Sequence, residues 1–66
     1  MVIQLNGEPY TVSEGTSIAD LLIALELTER RVAVEVNLEI VPRSQHATTV
    51  LQANDQVEVV QAIGGG

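Results

Sequence analysis

Hydrophobic and polar positions along this chain change period from element to element. Between Met1 and Leu5 the side chains alternate, with Ile3 and Leu5 toward one face and Val2 and Gln4 toward the other, as in a half-buried strand. Asn6-Gly7 follows, a dipeptide that readily takes positive φ at both central positions of a type I′ turn. A two-residue hairpin there pairs Glu8 with Leu5 and Tyr10 with Ile3. That register puts Tyr10 and Val12 on the core side. It also sets Pro9, which has no N–H, opposite Gln4, so the second strand is expected at a sheet edge.

The period then lengthens. Ser13 to Thr16 reads as a loop, and Ser17 with Asp20 three positions on forms a capping box with Asp in place of Glu. A helix is predicted from Ile18 to Glu26, with Ile18, Leu21, Leu22 and Leu25 on one stripe. Burying four such side chains contributes about 6 to 12 kcal/mol before chain entropy is subtracted, which makes this helix the main anchor of the core. Ser17 has no adjacent base to make it a nucleophile, so its hydroxyl is read as the cap.

After Leu27 to Arg31 the period returns to two. Val32, Val34 and Val36 alternate with Ala33, Glu35 and Asn37, and the density of β-branched residues predicts a central strand. Asn37-Leu38 begins a turn, Glu39 to Val41 forms a short fourth strand, and Pro42 ends it. Arg43 to Thr49 shows no periodicity, and Val50-Leu51 is expected to place apolar side chains in the core. Gln56 to Ile63 reads as the last strand, with Val57 and Val59 on one face and Val60 and Ala62 on the other. An apolar outer face there is either a docking surface, with Val60, Ala62 and Ile63 as its residues, or is covered by a neighbouring loop.

Composition limits what this pattern can build. Sixty-six residues make a single small domain, and with no Phe or Trp its core must be Val, Leu and Ile. The absence of Cys removes disulfides, thiolate nucleophiles and cysteine metal sites. No leader pattern and no apolar run of membrane length occurs, so the chain is expected in the cytoplasm, with no membrane partner. Nine acidic residues against three Arg give a net charge of -6, which argues against nucleic acid and suits either a basic protein partner or simple solubility.

Enzyme chemistry finds little support in these residues. His46 is the only histidine, without a metal-ligand companion, and is read as a surface residue. Asp55 and Glu58 lack calcium-loop spacing, and no glycine loop precedes a helix to cradle phosphate. The chain is therefore expected not to be an enzyme, with no catalytic residue, no metal and no bound cofactor. What remains is the sequence Gly64-Gly65-Gly66. Residues 1–63 are read as one folded domain and residues 64–66 as a flexible tail that extends about 10 Å and, lacking side chains, enters narrow channels in partners. A frayed end with no task is the other reading.

The order of elements, closing in the glycine tail, is that of the α+β β-grasp or ubiquitin-like fold, a mixed sheet of about five strands packed on one main helix. The chain resembles the ThiS family, the sulfur carriers of thiamin biosynthesis, over its whole length. The resemblance is carried by Asn6-Gly7, Gly15-Thr16-Ser17, Leu21-Leu22, Ala33-Val34-Glu35-Val36-Asn37, Ile40-Val41-Pro42-Arg43, Asn54-Asp55 and Ile63-Gly64-Gly65-Gly66. Its most specific parts are the terminal glycine pair and the Val-Pro-Arg segment.

This resemblance implies a mechanism in which the protein is a substrate. A ThiF-like adenylyltransferase, using ATP and magnesium, would convert the Gly66 carboxylate to an acyl adenylate. Sulfur from a cysteine-derived persulfide, supplied by a cysteine desulfurase or its equivalent, would replace AMP to give a thiocarboxylate. Thiazole synthase would then take that sulfur. Gly65 matches the family's penultimate glycine and Gly66 its acceptor, while Gly64 falls at a variable position. A molybdopterin-type carrier of the MoaD kind, a ubiquitin-like conjugating modifier and a plain interaction module remain as alternatives.

Overall fold

A computed structural model describes residues 1–61 of the chain. Five strands and one helix succeed one another as β1 (Val2–Leu5), β2 (Glu8–Thr11), α1 (Ile18–Ala24), β3 (Val32–Val36), β4 (Glu39–Val41) and β5 (Gln56–Gln61), with a 3₁₀ turn at Arg43–Gln45. The sheet order is β2-β1-β5-β3-β4, with β5 parallel to β1 and the other neighbours antiparallel. This mixed five-stranded sheet with one helix is the β-grasp architecture.

The first hairpin follows local chemistry. Leu5 pairs with Glu8, Gln4 with Pro9 and Ile3 with Tyr10. Asn6 and Gly7 take φ of 50° and 85°, as a type I′ turn requires, and β2 lies at an edge where Pro9 leaves no ladder bond broken.

The helix begins where the capping box puts it. The Ser17 hydroxyl accepts from the Asp20 N–H at 3.0 Å, and the Asp20 carboxylate accepts from the Ser17 N–H at 3.1 Å. It ends earlier than the stripe suggests, at Ala24 with Leu25 as the C-cap. Glu26 turns left-handed at φ 60°, and the N–H groups of Glu26 and Leu27 bond back to the carbonyls of Ile23 and Leu22. That is a Schellman closure built on a residue other than the usual glycine.

Ile18, Leu21 and Leu22 meet Ile3, Val34, Leu51 and Val57 in the core, with Tyr10, Val12 and Leu25 packed half-buried around them. β3 has a neighbour on each side, as its β-branched density predicts, with β5 in the middle of the sheet. Two other expectations are corrected by the structure. Leu51 is buried while Val50 is 46% exposed, since consecutive residues of an extended segment point opposite ways. His46 is not a surface residue: it is 6% exposed, and its Nε2 donates to the Val41 carbonyl at 3.0 Å, tying the 3₁₀ turn to the end of β4. No helix among the described residues is long and apolar enough to cross a membrane.

Candidate functional site

The strand that leads to the glycines is held from both sides and by side chains as well as by its ladders. β5 lies between β1 and β3 and is pinned near both ends by asparagine side chains. At its start, Asn37 Oδ1 accepts from the Gln56 N–H while Asn37 Nδ2 donates to Asp55 Oδ1, both at 3.0 Å. Toward its end, Asn6 Oδ1 accepts from the Val59 N–H at 2.8 Å and Asn6 Nδ2 donates to the Val59 carbonyl at 3.3 Å. The parallel ladder from β1 stops at the first hairpin, and the Asn6 amide continues it by one step. Without that amide, Val59 would present unpaired backbone groups just before the chain leaves the sheet.

Of the expected docking residues Val60, Ala62 and Ile63, only Val60 is described; Ala62, Ile63 and the tail glycines Gly64, Gly65 and Gly66 lie outside the described residues. Val60 is 61% exposed on the face of the sheet opposite the core. Register sets Ala33 beside it on β3, and Glu35, opposite Ile40 of β4, shares the same face. Ile40 is itself 72% exposed. The register also brings Glu58 of β5 directly opposite Glu35, a like-charge cross-strand pair. The outer face thus combines exposed aliphatic side chains with two carboxylates, an arrangement that does nothing for the stability of the isolated chain.

The hairpin joining β3 and β4 adds a second unfavourable feature. Asn37 and Leu38 both take positive φ, 52° and 71°, and Leu38 is 83% exposed. A leucine in the left-handed region costs about 1 to 2 kcal/mol, and here no burial offsets it. Sequence reasoning placed a turn at Asn37-Leu38 but missed both the strain and the Asn37 clamp. The missing signal was the partner, since Asp55 lies far along the chain.

Comparison with known proteins connects this geometry to a family. The ThiS family model matches residues 3–66, nearly all of the chain and through the terminal glycines. The chain belongs to the ThiS family. It is 33% identical to the sulfur carrier protein ThiS of Escherichia coli, with each chain covered in full. The crystal structure of a thiamine biosynthesis protein (ThiS) from Geobacter metallireducens superposes with a TM-score of 0.85 at 35% identity, again covering 100% of both chains. A thiazole synthase from Magnetococcus marinus is 47% identical across this whole chain, which spans 20% of that relative's length. The ThiS family is one of sulfur carriers with a β-grasp fold, and its names tie it to thiamin biosynthesis.

Proposed function

We propose that this chain carries sulfur for thiazole formation in thiamin biosynthesis, and that the Gly66 carboxylate is the group loaded. The observation that carries the reading is the family match, which runs through Gly64-Gly65-Gly66. The thiazole synthase relative supports the choice of recipient: a carrier-like segment within a thiazole synthase chain is expected if the two work together.

The chemistry follows from the carboxylate. Ionised, it is a poor electrophile and must be activated before a nucleophile can replace one of its oxygens. In a ThiF-like partner, with ATP and magnesium, a Gly66 oxygen attacks the α-phosphorus and pyrophosphate departs. A persulfide sulfur then attacks the acyl carbon and AMP leaves. A thiol cleaves the resulting acyl disulfide, giving the thiocarboxylate and a new disulfide. Thiazole synthase takes the sulfur, and the carboxylate returns. This chain contributes reach and shape. From Gln61 to Gly66, five extended residues span at most about 16 to 18 Å, and Gly64, Gly65 and Gly66 present no side chain to a narrow channel. Val60, with Ala62 and Ile63, is the docking surface that brings the carboxylate to the partner.

Pyrophosphate exchange into ATP, measured with the adenylating enzyme, tests this assignment. The intact chain should support exchange, and a chain lacking Gly66 should not, although its thermal midpoint stays the same. Exchange that persists without Gly66 would sink the proposal, and an isopeptide bond to a target lysine would make the chain a modifier.

A further inference from the structure

Every cationic side chain of this acidic protein lies at one corner. The sequence has no lysine, so Arg30, Arg31 and Arg43 are the complete set against nine Asp and Glu. All three line one cavity of about 280 Å³, together with Leu22, Thr28 and the sole histidine, His46. Arg30 and Arg31 precede β3, and Arg43 follows β4. They meet because the antiparallel pairing of Val34 with Val41 brings the start of one strand to the end of the other. Glu26 and Glu29 belong to the same loop as Arg30, but neither lines the cavity.

The position of this corner suggests its partner. Val32, the residue after Arg31, pairs with Gln61, the last residue of β5. The arginines therefore stand beside the point where the chain leaves the sheet toward Gly66. Three guanidinium groups gathered at one corner of a chain of net charge -6 make a local positive patch on an otherwise acidic protein. The three side chains are exposed, which suits contact with another protein surface better than enclosure of a small ion.

We infer that the Arg30, Arg31 and Arg43 corner docks an acidic patch on the adenylating enzyme, beside the mouth of the site that receives Gly66. This inference rests on the proposed carrier function. An acidic patch attracts this end of the chain and repels the carboxylate-bearing remainder, so encounters that present Gly66 to the mouth are favoured over the others.

Association with the purified adenylating enzyme, followed by stopped flow at low and high sodium chloride, tests it. Arg43→Glu should slow association about tenfold at low salt, and the difference should shrink as salt screens it. Arg43→Lys, and a Gln52→Glu/Ala53→Glu variant adding the same charge at the opposite end of β5, should associate like the wild type. An unchanged thermal midpoint confirms that Arg43→Glu is folded. The inference is overturned if Arg43→Glu associates normally, is slowed equally at both salts, or is matched by the opposite-end variant. Inorganic phosphate that blocks association beyond sodium chloride of equal ionic strength would assign the corner to a small oxyanion and also overturn it. Pyrophosphate exchange separates the two failures. No exchange with the wild-type chain removes the carrier reading and this site with it, whereas exchange with a normal Arg43→Glu removes the site alone.

Discussion

The two faces of the sheet are built to different ends. The inner face carries Ile3, Val34 and Val57, each at most 1% exposed, against the three buried helix residues. The outer face leaves Val60 and Ile40 exposed, opposes Glu35 with Glu58, and leads at one end to a strained, exposed Leu38. Residues chosen only for stability would not be arranged this way, because each outer feature is neutral or unfavourable to the isolated fold. The difference separates what holds the chain together from what is available to a partner.

Substitutions on each face sharpen the contrast, and the inner face gives the largest effect. Leu22→Ala should destabilise by about 2 to 5 kcal/mol, much of what so small a domain has; a denaturation midpoint that hardly moves would break the account of the core. Val60→Asp should leave that midpoint near wild type yet weaken the complex with the adenylating enzyme, because an unpaired charge must be desolvated there. Unfolding of the variant would show that the faces are misassigned. Leu38→Gly should stabilise by about 0.5 to 1 kcal/mol, once relief of left-handed strain is set against the added freedom of the unfolded chain. A loss of stability in urea would mean that Leu38 packs against something. The smallest effect is expected from Glu58→Thr, which should gain about 0.2 to 1 kcal/mol by removing the repulsion with Glu35, a gain that shrinks in high salt.

Where the determinants are local, the sequence was readable. Asn6-Gly7 specified its turn and register, and Ser17 with Asp20 specified the helix start, because each depends on residues a few positions apart. The second hairpin has the same backbone but carries Leu38 where the first has Gly7, so only the structure shows its left-handed pair. Glu26 concealed the helix end in the same way, by taking the conformation that glycine normally marks. His46 was misread because its acceptor is a backbone carbonyl, which leaves no trace in side-chain patterns. At the site, the glycines were legible as residue types. The arginine corner was not, since it arises from the β3–β4 pairing rather than from spacing along the chain.

Sulfur transfer by this chain depends on the Gly66 carboxylate exchanging one oxygen for sulfur. The most direct measurement is the intact mass of the protein after incubation with ATP, magnesium, the adenylating enzyme and a sulfur donor, with fragmentation to locate the change. The account predicts a gain equal to the exchange of one oxygen for one sulfur, confined to Gly66 and absent when ATP is omitted. Sulfur on any other residue, or the same gain in a chain lacking Gly66, would contradict it.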